Sequence, residues 1–144
     1  MADDTTARAS TSIGAPPETV WHALTDPAEV KKFYFGTDLK TDWKPGSRIA
    51  WSGEWQGKKY EDRGEVLEIE RNRRMKYTHF SPLTGQEDRP ENYHTITVEL
   101  EPDGDGTRVT LEQTNNADAK ARDHSQQNWQ MVLESLKKLV EGAS

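Results

Sequence analysis

The clearest structural signal in the sequence is the segment Asn128-Trp129-Gln130-Met131-Val132-Leu133-Glu134-Ser135-Leu136-Lys137-Lys138-Leu139-Val140. Its large apolar residues recur at three- and four-residue steps, with polar and charged residues between them: Trp129, Val132, Leu133, Leu136, Leu139 and Val140. This spacing places them on one side of an α-helix. The pattern predicts a helix of about six turns that starts near Asp118 and ends before Gly142.

Upstream of this helix, apolar residues alternate with polar ones, which is typical of half-buried β-strands. His94–Leu100 and Val109–Gln113 flank the turn residues Asp103-Gly104-Asp105-Gly106 and predict a hairpin. Three earlier segments have the same pattern, and Gln56-Gly57 forms the turn between the first two: Ile49–Trp55, Lys58–Glu70 and Arg74–Phe80. Residues 81–92 are rich in turn-forming residues and predict a longer loop.

The alternation also predicts which residues face one another across the strands. Pairing Met75 with Val98 on the inner face fixes the rest of the ladder, because side chains alternate strictly along a strand. The pairs that follow are Tyr77–Ile96, His79–His94, Leu100–Val109, Val98–Leu111 and Ile96–Gln113. The inner face therefore changes from apolar at one end to polar at the other.

The N-terminal part predicts one strand and two short helices. Residues 1–7 are polar and are predicted to be disordered, residues 8–141 are predicted to form a single domain, and Arg8–Ile13 is its first strand. Pro17 suits the first turn of a helix, where its missing N–H would have no partner. Asp26 begins a second helix as its N-cap, and Glu29 is placed to reach back in a capping box.

This order of elements predicts an α+β fold. A run of hairpin strands has one apolar face to cover, and the long C-terminal helix is available to cover it. We therefore expect a curved antiparallel β-sheet wrapped around that helix, with the two short helices after the first strand.

Composition excludes several classes of function. The 144 residues fit one domain, and the net charge of −6, from 25 acids and 19 bases, argues against binding nucleic acid. The absence of cysteine excludes disulfides, thiol catalysis and zinc–thiolate sites. With no signal-like N-terminus and no apolar run of membrane-spanning length, we expect a cytoplasmic protein without membrane insertion.

Several stretches resemble a known superfamily. Ile13–Pro27 resembles the opening motif of the START-related (SRPBCC) superfamily, which includes birch-pollen-allergen-like proteins, polyketide cyclases and lipid-transfer domains. Four other segments are similar to the branch named for the activator of the heat-shock-protein-90 ATPase: Gly64–Ile69, Met75–Thr78, Gly106–Leu111 and Asn128–Leu136. The resemblance extends from about residue 8 to residue 141. It implies the helix-grip fold and a hydrophobic cavity, but no single activity.

The polar ends of the sheet and the helix should coincide, because the strand ending at Gln113 leads into the helix. Stepping back from Trp129 along the helix gives Gln126, Ser125 and Arg122. We therefore expect a cavity that is apolar at depth and polar near the helix N-terminus, which suits a small hydrophobic or amphiphilic molecule. The residues expected to line it are Trp51, Tyr60, Tyr77, His79, His94, Gln113, Arg122, Gln126 and Trp129.

Three functions stay open from the sequence. The first, a non-catalytic binding domain that is monomeric or weakly dimeric, agrees best with the change from apolar to polar side chains along the inner face and the helix. The second is an enzyme of the cyclase or dehydratase kind, with His79 or His94 acting beside Tyr77. The third, a chaperone-associated or stress-related module with a chaperone partner, is implied by the resemblance alone. No histidine pair has metal-ligand spacing and no cofactor motif is present, so we expect neither a metal nor a cofactor.

Overall fold

The computed structural model describes residues 5–34, 36–55, 57–81, 87–116 and 118–142. Its elements, in chain order, are β1 (Ala7–Ile13), α1 (Pro17–Thr25), α2 (Pro27–Phe33), β2 (Asp38–Thr41), β3 (Arg48–Trp55), β4 (Lys58–Glu70), β5 (Arg74–His79), β6 (His94–Asp103), β7 (Gly106–Gln113) and α3 (Ala119–Gly142). The predicted α+β order is confirmed, with β2 as a short additional strand. Residues 1–4, within the segment predicted to be disordered, and residues 82–86 of the predicted loop lie outside the described residues.

The strands form one curved antiparallel sheet in the order β1-β7-β6-β5-β4-β3-β2. The predicted registers are confirmed: Met75 pairs with Val98 and His79 with His94 in the β5–β6 hairpin. In the β6–β7 hairpin, Ile96 pairs with Gln113. The β6–β7 register was predictable because a short turn fixes the register of a hairpin. The β5–β6 register, across a longer connection, was predictable because the buried face of both strands prevents slippage.

The core lies between the inner face of this sheet and one side of α3. Trp129, Val132, Leu133, Leu136 and Val140 are the buried residues of α3. They form one cluster with inward-facing strand residues and with apolar residues of α1 and α2. The helix thus covers the apolar face of the sheet, as the helix-grip fold requires. None of the described helices is long and apolar enough to cross a membrane.

The predicted capping box at the start of α2 is wrong. Asp26 is the N-cap as predicted, and its carboxylate accepts a hydrogen bond from Ala28 N at 2.9 Å. The N–H of Asp26 already donates to His22 O at the end of α1, so Glu29 has no donor to reach back to. Glu29 instead forms an ion pair with Lys32, at 3.2 Å.

A second side of α3 covers the free edge of β1, where every other residue turns its backbone polar groups away from β7. Polar side chains of α3 hydrogen-bond these groups, and the pairs are Gln126 with Arg8, Gln130 with Ser10, Lys137 with Ser12 and Glu141 with Gly14. The fifteen residue steps from Gln126 to Glu141 on the helix and the six steps from Arg8 to Gly14 on the strand span nearly the same length, about 22 Å and 20 Å. These polar side chains of α3 therefore satisfy backbone N–H and C=O groups that an edge strand would otherwise leave free to pair with another chain.

Candidate functional site

A small space remains between α3 and the sheet. Its lining is almost wholly apolar, and its aromatic members are Phe33, Tyr34, Trp43, Trp51, Tyr77 and Trp129. The room there for water-sized molecules is about 40 Å³, enough for roughly three waters. Ligand pockets usually measure roughly 300–1,000 Å³. Among the described residues, the inner face and α3 thus meet with most of the space between them filled by side chains.

The aromatic side chains that fill the space contact one another. The Trp51 and Tyr77 rings lie 5.4 Å apart, and Tyr34 meets Trp129 edge-on at 6.0 Å. Trp43 meets Tyr77 edge-on at 6.4 Å, and its indole N–H donates to Thr25 O at 2.9 Å. Two of these rings, Tyr34 and Trp43, stand on connecting segments rather than on strands or α3.

A polar cluster, Asp62, His79 and His94, lies beside this space at the polar end of the inner face. His79 Nε2 lies 2.9 Å from Asp62 Oδ2, and their side chains are only 21% and 18% exposed. His94 stacks on His79 with ring centroids 6.3 Å apart. Trp51 connects the cluster to the space, because its ring lies 5.0 Å from that of His79 and also lines the space.

The hydrogen bonds define the proton positions on the two imidazoles. A carbonyl oxygen only accepts, so the 2.9 Å contact with Thr114 O requires a proton on His94 Nδ1. Burial, followed by the neighbouring His79, lowers the pKa of His94, although the bond to Thr114 opposes the shift. Neutral His94 therefore carries a lone pair on Nε2. By the same logic, His79 donates its Nε2 proton to the carboxylate of Asp62, which orients the ring.

Asp62 has an acceptor atom without a partner. Oδ2 meets His79, but Oδ1 is buried and has no hydrogen-bond partner among the described residues. Asp62 is the ladder partner of Trp51, which puts it on the inner face of β4. A buried carboxylate oxygen without a donor is costly, so such an atom is a candidate for contact with a bound molecule.

Two tyrosines bring uncharged phenols to the space. Burial raises the pKa of Tyr77 well above its ordinary value. Burial also raises the pKa of Tyr34, with smaller contributions from Tyr77, Asp62 and Tyr60. Both hydroxyl groups are therefore protonated at neutral pH and are able to donate hydrogen bonds.

A hydrogen-bond network holds Trp129 of α3 at the border of the space. The Trp129 indole N–H donates to Gln113 Oε1, and Gln113 Nε2 donates to Asn116 Oδ1 at 3.1 Å. Ser125 Oγ donates to the same Asn116 oxygen at 2.9 Å. Gln113 is only 8% exposed, and its amide orients Trp129 against the sheet.

Of the nine residues predicted to line a ligand site, the structure brings six to the space or beside it: Trp51, Tyr77, His79, His94, Gln113 and Trp129. Tyr60 lies away from the α3 space, where its hydroxyl meets Thr37 Oγ1 at 2.6 Å over Gly53. Arg122 is partly exposed and donates to Asp123 at 3.1 Å.

Gln126 is exposed and hydrogen-bonds Arg8 N at the β1 edge. At about 100° per residue, Gln126 lies about 60° from Trp129 around α3, towards the side that covers β1. The prediction treated two neighbouring sides of the helix as one.

The sequence reasoning did not identify Asp62, Tyr34 or Trp43. A signal for Asp62 was available, because the turn predicted at Gln56-Gly57 implies the pairing of Trp55 with Lys58, and hence of Trp51 with Asp62, that the structure shows. Tyr34 and Trp43 lie in connecting segments, where no periodicity predicts the direction of a side chain. Within the described ranges, no group of three or more metal-ligating side chains is close enough to hold an ion.

Comparison with known proteins places the chain among solved structures of the same fold. ChR145 from Cytophaga hutchinsonii is 46% identical over 99% of this chain and 98% of its own, with a TM-score of 0.85. MLL2253 from Mesorhizobium loti is 26% identical over 96% and 98% of the two chains, with a TM-score of 0.78. DynU16, from the dynemicin biosynthetic locus, is 18% identical with a TM-score of 0.81, which shows the fold alone; the match covers 99% of this chain and 49% of DynU16.

No curated protein matches the chain significantly in sequence. The family model described as "Activator of Hsp90 ATPase homolog 1-like protein" matches residues 14–141. This match spans nearly all of the described fold, from the end of β1 to the last turn of α3. The chain therefore belongs to the Activator of Hsp90 ATPase homolog 1-like family.

Proposed function

We propose that this chain is a small-molecule-binding domain that takes the apolar part of an amphiphile between α3 and the sheet. The observation that carries the proposal is the juxtaposition of the aromatic-lined space with the cluster of Asp62, His79 and His94. Apolar lining with a few convergent polar groups is typical of ligand sites. Trp51 lines the space and contacts His79, so a molecule in the space would meet the cluster at one end.

Binding requires the space to enlarge, and Trp43, a lining residue on the segment between β2 and β3, is the side chain that we expect to move. Trp43 has a backbone φ of 53°, a left-handed conformation that is rare for a bulky residue. Such a conformation costs about 1–3 kcal/mol and persists only where the surroundings enforce it. A movement that withdraws Trp43 from the space can relax this strain, which offsets part of the cost of opening.

A thermal-shift screen of lipids, flavonoids and polyketides tests the proposal. A ligand at 100 times its Kd adds about 2.7 kcal/mol to the free energy of unfolding, which raises the Tm by roughly 5–10 °C. We expect at least one of these classes to produce such a shift. A flat response across all of them would contradict the proposal.

Two valine substitutions on α3 locate the binding. Val132 and Val140 are almost equally buried, at 7% and 8% exposure, but only Val132 lines the space. Val132→Phe should fill the space and abolish the ligand-induced shift, whereas Val140→Phe should preserve it. Both changes overpack the core and cost about 1–3 kcal/mol, so the comparison separates binding from stability. Loss of the shift in both variants, or in neither, would place the ligand elsewhere.

A second candidate function is acid–base catalysis, favoured by the hydrogen bond between His79 and Asp62. A carboxylate that holds Nε2–H of an imidazole leaves Nδ1 as the base, which is the arrangement of an oriented general base. Such a base could remove a proton from a carbon next to a carbonyl, as cyclisation or dehydration requires. His94, neutral and stacked on His79, adds a second basic nitrogen.

Proton exchange of 2-tetralone in D₂O, followed by NMR, tests this second function. A positioned base accelerates such a step by about 10²–10⁴-fold. We expect His79→Gln to abolish the acceleration and His124→Gln, on the exposed surface of α3, to leave it unchanged. Equal exchange with wild-type protein and with the His79 variant would refute the catalytic role.

A further inference from the structure

We infer that the ligand of the proposed site is a neutral aromatic alcohol whose hydroxyl group donates a hydrogen bond to the carboxylate of Asp62. This inference rests on the binding function proposed above and specifies the chemical class that the site selects. Three features of the described residues carry it: an unsatisfied acceptor, a lack of cationic groups on the inner face, and an aromatic lining.

The acceptor is Asp62 Oδ1. It is buried and has no donor among the described residues, while the other oxygen of the same carboxylate is held by His79 at 2.9 Å. The carboxylate cannot turn to satisfy Oδ1 without losing His79. A donor from a bound molecule would satisfy the free oxygen and keep the existing bond, and a bond to a charged acceptor is about twice as strong as one between neutral groups.

The inner face offers no positive charge to an anionic ligand. The inward-facing residues of β5, β6 and β7, and those from Tyr60 to Val66 on β4, include no lysine or arginine. Neutral His94 presents an acceptor lone pair rather than a charge. Asp62 paired with His79 has a net charge of zero or −1, whichever form His79 takes. A carboxylate head group would therefore lose its hydration without gaining a counter-charge.

The lining favours a ring as the apolar part of the ligand. Trp51 and Tyr77 line the space in ring contact with each other, and Trp51 also contacts His79. Tyr34 meets Trp129 across from them. A planar ring inserted among these side chains can make the offset and edge-on contacts that aromatic groups prefer. Its hydroxyl would then point towards the cluster at the end marked by Trp51.

Three compounds with the same ring system separate these features: 2-naphthol, 2-methoxynaphthalene and 2-naphthoate. The methyl ether keeps the ring but lacks the donor, and the carboxylate replaces the donor with a negative charge. Calorimetric titration of the wild-type protein should give 2-naphthol a Kd about tenfold lower than that of the ether. We expect 2-naphthoate to bind more weakly than either.

Asp62→Asn tests the acceptor directly, since asparagine preserves the shape and removes the charge. The substitution should raise the Kd of 2-naphthol about tenfold and change the Kd of the ether by less than about twofold. Asp103→Asn, an exposed change at the far end of β6, is the matched control and should alter neither Kd. The comparison among compounds on the wild-type protein does not depend on folding of the variant.

Two unfavourable outcomes are distinguishable. Equal binding of 2-naphthol and its ether, or tightest binding of 2-naphthoate, would overturn the inference about Asp62 and leave the binding function standing. The absence of binding by all three compounds would count against the proposed site itself, and the inference would fall with it.

Discussion

Gln130→Ala removes both hydrogen bonds between α3 and Ser10 on the free edge of β1. In the native structure, Gln130 Nε2 donates to Ser10 O at 3.0 Å, and Gln130 Oε1 accepts from Ser10 N at 3.4 Å. We expect the variant to lose about 1–2 kcal/mol of the free energy of unfolding. The loss arises because two backbone groups that lie partly out of water are left without their partner.

The magnitude follows from the two bonds and from their surroundings. A typical intramolecular hydrogen bond contributes about 0.5–1.5 kcal/mol, which gives about 1–3 kcal/mol for the pair. The edge is only partly buried, so water replaces some of the loss and the lower part of that range applies. Gln127→Ala is the matched control, because Gln127 is exposed on the same helix. Its effect should stay within about 0.5 kcal/mol, and the helix-propensity change cancels between the variants.

Urea unfolding followed by tryptophan fluorescence measures both variants. A lower midpoint with an unchanged m-value indicates a true loss of stability. Hydrogen exchange of the Ser10 amide provides a local readout, since this N–H loses its acceptor in the Gln130 variant alone. Equal midpoints for the two variants, together with unchanged protection of Ser10, would refute the role assigned to this side of α3.

Three further outcomes follow from the same structure. A Cβ at Gly64 would lie 1.8 Å from the backbone Thr78 O of the adjacent strand; Gly64→Ala should therefore cost at least about 1–3 kcal/mol in urea unfolding. Trp129→Phe leaves the buried Gln113 Oε1 without its donor and should cost about 1–3 kcal/mol in the same assay. The pKa of His94 lies below its ordinary value of 6.5, so the unfolded chain binds the proton first as the pH falls. Stability should thus decrease below about pH 6.5, and His94→Gln should reduce this slope in urea titrations at several pH values.

The sequence predicted the sheet well because its signals are local and strict. The turns at Gln56-Gly57 and Asp103–Gly106 set the hairpins, and alternation set the face of each residue. The register that places His79 opposite His94 crosses the long loop predicted at residues 81–92, so it rests on alternation and on the pairing of Met75 with Val98 on the buried face. The same reasoning, extended through the first hairpin, would have paired Trp51 with Asp62 and identified the carboxylate of the cluster.

The side of α3 that covers β1 could not be predicted with the same certainty. Polar residues beside an apolar stripe are compatible with solvent, a cavity mouth or the edge of a sheet. Gln126 was predicted for the cavity, but the structure pairs it with the backbone of β1. The distinction depends on how the helix is rotated over the sheet, and that rotation is set by packing across the whole core.

The size of the space was also beyond the reach of sequence patterns. It depends on the positions of a few aromatic rings, two of which stand on connecting segments. Trp43 reaches the space through a left-handed backbone conformation and an indole bond to Thr25 O. No periodicity encodes such a placement.

The indole N–H resonances of the tryptophans, recorded by NMR during titration with 2-naphthol, show whether a ligand binds between α3 and the sheet. Trp51, Trp129 and Trp43 line the space, whereas Trp21 is buried on α1 outside that lining. We predict ligand-dependent shifts for the first three and an unchanged signal for Trp21. Unchanged signals from all three lining tryptophans at saturating 2-naphthol, or a shift confined to Trp21, would contradict a ligand site between α3 and the sheet.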